Sequence, residues 1–183
     1  WIGKDINQRM KRINTLSLGI IGLGRIGGSI AKKFLPFSQN IGFYDPYLPN
    51  GYDKVYGIKR FKKLSDLLKD SDIVSINTPL NKETEGLVNE DFLRQLKKGA
   101  YLINLSRGAI VKSKKLILEK LLSKELEGYA SDVWTKEPPE SSDVFYNAWK
   151  ENDKNLEGRV IINPHTAYFS EEALKESRSK ACL

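Results

Sequence analysis

The sequence predicts an α/β fold, a doubly wound parallel sheet with helices on both faces. Short apolar runs rich in Ile and Val alternate with longer runs whose apolar residues recur at helical spacing, which is the pattern of a parallel sheet covered on both sides. A glycine-rich turn, Gly22-Leu23-Gly24-Arg25-Ile26-Gly27, joins the first apolar run to the first helical one. Several further apolar runs end on residues whose side chains do chemistry.

The elements follow in order. Leu18-Gly19-Ile20-Ile21 is a buried strand, and Ile30, Ala31, Phe34 and Leu35 mark a helix that Pro36 stops. Ile41-Gly42-Phe43-Tyr44 is the second strand, ending at Asp45-Pro46, and Pro49-Asn50-Gly51 is turn chemistry. A short helix is expected over 64–69 with Ser65 as its N-cap, then a strand at Ile73-Val74-Ser75-Ile76. Asn89 caps a helix running to 96, and the strand at 101–105 follows. Over 113–122 the spacing predicts an amphipathic helix whose apolar side is Leu116, Leu118, Leu121 and Leu122. Tyr129-Ala130-Ser131 and Val160-Ile161-Ile162 are the fifth and sixth strands, separated by a polar loop over 138–157 in which Phe145, Tyr146 and Trp149 are embedded. Ser170 opens a last helix with Glu171 and Glu172 in its first turn, where the helix dipole favours them.

Composition narrows the function classes. The 183 residues, 40% hydrophobic and 29% charged, are the balance of an ordinary globular domain, and no apolar stretch is long enough to span a membrane. One Cys, Cys182, excludes a disulfide framework, and one His makes a histidine zinc centre improbable. Net charge is +7, but Lys and Arg are spread at helical spacing rather than gathered on one face among aromatics, which argues against nucleic acid and for anionic substrates or cofactors. Residues 1–12 alternate apolar and charged residues without a signal-peptide core, so a cytoplasmic protein is expected.

The glycine run follows a strand, opens a helix, and is followed 18 residues beyond Gly27 by Asp45 at the end of the next strand. Those are the conditions that make it a dinucleotide fingerprint of a Rossmann-type sheet. Gly22 permits the tight turn, Gly24 lets a pyrophosphate approach the backbone, and Gly27 lets the helix pack on the strand. The amides of Arg25 and Ile26 point at the phosphates with the helix dipole behind them. Asp45 would hold the adenosine ribose diol, and Pro46 and Tyr47 offer nothing to a 2′-phosphate, so NAD is favoured over NADP. Beyond later strands come Arg107, then Asp132 and Glu137, then His165. Carboxyl ends of parallel strands share one edge, so Arg107, Glu137 and His165 should converge beside the nicotinamide. Each has a plain structural use as well: glycines make tight turns, a histidine after a strand can complete interior hydrogen bonds, and an arginine can make a surface ion pair.

GIIGLGRIG, INLSRGAIV, SDVWTKEPP and NPHTAY, in that order, resemble the D-isomer-specific 2-hydroxyacid dehydrogenase family, and FYDPYLPNG with AWKENDKNLEGRVIINPHTAYFSEEA resembles its C-terminal-binding-protein-like subgroup most. The resemblance implies catalysis by Arg107, Glu137 and His165. It implies NAD contacts from the glycine loop, Asp45, Thr78, Pro79, Leu80, Leu105, Ser106, Arg107, Asp132, His165 and Tyr168. The sequence departs at Asn77, where the family often has His. Residues 1–183 would then be one NAD-binding domain, without the family's substrate domain, that pairs into a homodimer. Arg107 would bind the carboxylate of a 2-keto acid and polarise its carbonyl, His165 would exchange the proton, Glu137 would pair with His165, and Asp132 would hold the nicotinamide carboxamide. The alternative role is an NAD(H)-sensing, dimerising, corepressor-like interaction protein with little turnover.

Overall fold

The computed structural model describes residues 11–181; the expectations for residues 1–10 and for Cys182 lie outside the described residues. Seven parallel strands form one sheet in the order β3-β2-β1-β4-β5-β6-β7: β1 Leu18–Ile21, β2 Ile41–Tyr44, β3 Lys59–Arg60, β4 Ile73–Ile76, β5 Ala100–Asn104, β6 Leu126–Ser131 and β7 Val160–Ile162. The chain winds outward from β1 through β2 to β3, returns to β4 beside β1, and then winds the other way to β7. Between β1 and β4, where Leu18 pairs with Ile73 and Ile21 with Ile76, lies the switch point at which such sheets open a crevice.

All of β1 is buried, and its successive residues face opposite ways. Ile20 joins a core with Phe43, Ile58 and Ala31, while Ile21 joins a larger one with Val74, Leu102, Ile117 and Tyr129. Helices must therefore cover both faces, as the apolar runs imply. Helix Arg25–Phe34 lies close to β1 because its buried positions are Gly27, Gly28 and Ala31. At the opposite, amino end of the strands, Asp72 accepts from the Ser17 N–H (3.0 Å) and hydroxyl (2.8 Å), with Lys97 Nζ at 3.4 Å. Burial pushes this carboxyl up, but these partners outweigh it and leave Asp72 below its ordinary pKa.

Several local expectations hold. Asn89 Oδ1 accepts from Phe92 N–H at 2.9 Å and caps helix Glu90–Gln95, and Ser113 Oγ accepts from Leu116 N–H at 3.3 Å at the start of helix Lys114–Leu122. Ser170 Oγ likewise accepts from Ala173 N–H, 3.0 Å away, at the head of helix Glu171–Ala181. Three expectations are corrected, and a seventh strand joins the six expected. Helix Leu64–Asp70 has Lys63 at its cap and no side-chain bond there; Ser65 already lies inside the first turn, so its hydroxyl is misplaced for capping. The buried face of Lys114–Leu122 is Ile117, Leu118 and Leu121, with Leu122 exposed. Polar as it is, the stretch 138–157 contains helix Val144–Lys150, whose cap is Asp143 (accepting from Tyr146 N–H, 2.9 Å) and whose Phe145 is buried against Tyr129 and Trp134. Edge strand β3 is two charged residues, too short and too polar to show a strand pattern. Among the described residues no helix is long and apolar enough to cross a membrane, and no three His, Cys, Asp or Glu side chains cluster to hold a metal.

The corrected helix face predicts unequal costs. Ile117→Ala removes a fully buried side chain and should lower unfolding stability by about 3 kcal/mol, whereas Leu122→Ala should stay within about 1 kcal/mol. Urea unfolding followed by circular dichroism measures both.

Candidate active site

Loops leaving the carboxyl ends of β1, β2, β4, β5, β6 and β7 carry every residue singled out above. The glycine turn leaves β1 with Gly22 in the left-handed region (φ +86°), where a side chain would also press on the Asn77 carbonyl. A side chain at Gly27 would sit 2.1 Å from the Gly22 carbonyl oxygen, so the helix reaches the strand only because that position is bare. Gly24 is the N-cap and faces open space. The first helical hydrogen bond runs from Gly28 N–H to Gly24 C=O (2.8 Å), which leaves the amides of Arg25, Ile26 and Gly27 ahead of it without helical partners. Asp45, just past β2, accepts from Leu23 N–H and Tyr47 N–H, both at 3.0 Å, and so locks the glycine turn to the second strand.

On the far side of the crevice, Asn104 is fully buried at the end of β5. Its Oδ1 accepts from Ser106 N–H (3.0 Å) and its Nδ2 donates to the Arg107 carbonyl (3.1 Å), folding the loop that presents Arg107. The Ser106 hydroxyl donates to the Thr78 carbonyl, joining this loop to the one after β4 that carries Pro79 and the exposed Leu80. Leu105 is half-buried. Gly108 then touches the Trp134 backbone, where an added Cβ would fall 2.1 Å from the Trp134 carbonyl carbon. That contact brings the Arg107 loop against the Glu137 loop.

The last two loops meet through carboxylates. Asp132 is 5% exposed, and its oxygens accept from Thr166 N–H (2.9 Å) and Ala167 N–H (3.1 Å), so it grips the loop that follows β7. In that loop His165 adopts φ +55°, uncommon for a residue other than glycine. Its Nδ1 lies 2.8 Å from Glu137 Oε2, while Glu137 Oε1 accepts from Trp134 N–H at 2.7 Å. Burial pushes Glu137 up; the Trp134 amide, His165 and the nearby Arg107 charge outweigh it and hold the carboxyl below its ordinary range. Tyr168, 64% exposed, stands edge-on to the His165 ring at 6.0 Å. Arg107, Glu137 and His165 are therefore brought together, three to five strand positions away from Asp45.

Residues 1–167 match the family model of the D-isomer specific 2-hydroxyacid dehydrogenase, NAD binding domain. The chain belongs to this family. D-3-phosphoglycerate dehydrogenase of Bacillus subtilis is 36% identical over 157 residues, 86% of this chain and 28% of that protein. 2-Hydroxyacid dehydrogenase A of Aspergillus oryzae is 37% identical over 168 residues, covering 87% and 46%. Among solved structures, the NAD-dependent formate dehydrogenase of Staphylococcus aureus in complex with NAD superposes with a TM-score of 0.84 at 29% identity over 99% of this chain and 50% of the other. The D-lactate dehydrogenase of Aquifex aeolicus complexed with NAD and lactic acid gives 0.80 at 30% identity over 98% and 55%. The chain thus spans about half or less of the length of the relatives it matches.

The cofactor of this domain is NAD, and the chain's own residues fit it. Unpaired helix amides face the open space at Gly24, Asp45 stands at the next strand end, and Asn77 Oδ1 and Thr78 Oγ1 are buried beside the glycine turn with no partner. Asn104, Gly108 and the structural grip of Asp132 escape sequence reasoning. Of these, only the SRG tripeptide hinted at Gly108, and its reason, the Trp134 backbone, is 26 positions away.

Because the Glu137 pKa is depressed on folding, its pairing stabilises the fold fully above the ordinary carboxylate pKa and loses that effect as pH falls through the lower folded value. The stability gap between the wild type and Glu137→Gln should therefore be widest near neutrality and close below the usual carboxylate range. Urea midpoints at pH 7 and pH 3 test this; a gap that widens in acid contradicts it.

Proposed function

We propose that the chain is the cofactor half of an NAD-dependent D-2-hydroxyacid dehydrogenase, with Arg107, Glu137 and His165 as its catalytic residues. The observation that carries this reading is the 2.8 Å pairing of His165 Nδ1 with Glu137 Oε2 beside Arg107. An ionised carboxylate can only accept, so Nδ1 holds a proton and Nε2 is the nitrogen left to exchange one. In the reducing direction Nε2 gives its proton to the carbonyl oxygen of a 2-keto acid; in the oxidising direction it takes the hydroxyl proton back. The Arg107 fork binds the substrate carboxylate in two parallel hydrogen bonds and draws electron density from the adjacent carbonyl. Bound NADH supplies the hydride that the carbonyl carbon accepts. Asp132 acts by holding the 166–167 backbone, and with it the imidazole, in place.

In the full-length protein, NADH oxidation with a panel of 2-keto acids should be followed at 340 nm. His165→Gln should lower kcat on the best substrate by about 10²- to 10⁴-fold, and Arg107→Lys should raise KM for the keto acid as well as lower kcat. Undiminished turnover in His165→Gln would overturn the assignment.

One observation favours a second reading, the NADH-responsive self-association of the C-terminal-binding-protein-like subgroup. At one of the sheet's two edges lies β7, and its Ile161 is 64% exposed. That reading expects sedimentation velocity to show a dimer with NADH and a monomer without it, at negligible turnover. An NADH-independent profile rules it out.

A further inference from the structure

The mouth of the crevice above β2 holds more negative charge than Asp45 alone. The loop after β4 is folded onto itself: Asn81 Oδ1 accepts from the N–H groups of Glu83 (2.9 Å) and Thr84 (3.0 Å), and the Thr84 hydroxyl donates to the Pro79 carbonyl (2.6 Å). This local wiring fixes where Glu83 leaves the backbone. Its carboxylate accepts the phenolic O–H of Tyr47, and Tyr47 N–H in turn donates to Asp45 Oδ1 at 3.0 Å. A single tyrosine is thus tied at its backbone to one carboxylate and at its hydroxyl to another. The two acids are therefore separated by no more than the length of that residue and one hydrogen bond at each end. The hydrogen bond to Glu83 raises the Tyr47 pKa, with smaller contributions from desolvation and from the Glu83 and Asp45 charges, so the phenol keeps the proton it donates.

A guanidinium is also close by, but it is already committed. Arg60, from β3, donates to the carbonyl oxygens of Asp45 (3.0 Å), Leu48 (2.6 Å) and Pro49 (2.8 Å) and lies over the Phe43 ring at 5.7 Å. It braces the 45–49 loop from below, and leaving those carbonyls to meet a phosphate would strand three acceptors.

We propose that Glu83 is a specificity-determining residue of the cofactor site, acting with Asp45 to exclude a dinucleotide that carries a ribose 2′-phosphate. The inference rests on the reading that this crevice takes up NAD with its ribose at Asp45. A 2′-phosphate brings roughly −1.5 to −2 charge to a site framed by two anchored carboxylates. Asp45 loses a hydroxyl donor and gains a repulsive neighbour, while Glu83 adds repulsion without contact. The uncharged ribose of NAD meets neither penalty.

Titration of the purified chain with NADH and with NADPH, followed by nucleotide fluorescence, tests this on binding alone. Glu83→Gln keeps an acceptor for the Tyr47 phenol and removes only the charge. At low ionic strength it should lower the ratio of the NADPH Kd to the NADH Kd by about three- to ten-fold, mainly through tighter NADPH binding. In 0.5 M salt the difference from the wild type should shrink below about two-fold, because the interaction is a screened charge effect. Tyr47→Phe keeps the charge but unpins it, and should lower the ratio less than Glu83→Gln does. Equal ratios for the wild type and Glu83→Gln at low salt overturn the inference, as does a change that salt leaves intact. Failure of the wild type to bind NADH at all overturns the cofactor reading, and the inference with it.

Discussion

A buried carboxylate one residue past the end of β6 carries the geometry of the whole β6–β7 end of the crevice. Asp132 takes the amide hydrogens of Thr166 and Ala167, groups that would otherwise lie unpaired in a tight turn beyond β7. Burying a charge is costly unless it is met by donors, and here two backbone amides meet it. The His165 backbone at φ +55° is the local strain that this grip sustains, of the order of 1 kcal/mol for a non-glycine residue in that region. With the turn held, the imidazole edge falls on Glu137, whose other oxygen is held by the Trp134 amide. Both carboxylates in the chain of contacts are oriented by backbone amides, and the imidazole is oriented by one of them, so little rotamer freedom remains among the three.

The same device recurs at the other end of the crevice. Asp45 joins the glycine turn to the Tyr47 segment through two backbone amides, as Asp132 joins β6 to the last loop. Asn104 does it with an amide side chain in place of a carboxylate, accepting from Ser106 and donating to the Arg107 carbonyl. Gly108 completes the assembly by its lack of a side chain, since any Cβ there would collide with Trp134. Parallel strands fix where these loops begin. Short polar side chains at the strand ends fix where they go next.

That division explains what could be read from the residues alone. A cap such as Asn89 is local, linking positions three apart, and is legible because its partner is implied by the helix itself. The fingerprint 22–27 with Asp45 is nearly as local, since it describes one strand-turn-helix-strand unit. Convergence of Arg107, Glu137 and His165 followed from topology, because parallel strands place their carboxyl ends on one edge. By contrast, Asp132 holding a loop 34 residues away, or Arg60 bracing the Asp45 carbonyl, depends on tertiary approach that no periodicity encodes. Helix Val144–Lys150 was hidden for another reason. Its stability comes from the Asp143 cap and the packing of Phe145 with Trp134, and a stretch of mixed polar and aromatic residues shows neither.

Charge along the crevice edge changes sign from one strand end to the next. The protein as a whole is positive by seven units, yet the β2 end presents the carboxylates of Asp45 and Glu83. Next come the unpaired amides at the head of the Arg25–Phe34 helix, a partial positive charge suited to a diphosphate. Past β5 stands the guanidinium of Arg107, beside a Glu137 carboxylate whose charge is turned inward on His165 and the Trp134 amide. Under the proposed function, an uncharged ribose, a diphosphate and a 2-keto acid carboxylate would line up along this edge in one orientation. Reversing the dinucleotide would set its diphosphate or the substrate carboxylate against fixed negative charge. The general positive field can draw anions to the molecule from a distance, but the residues at the strand ends decide which way round they settle.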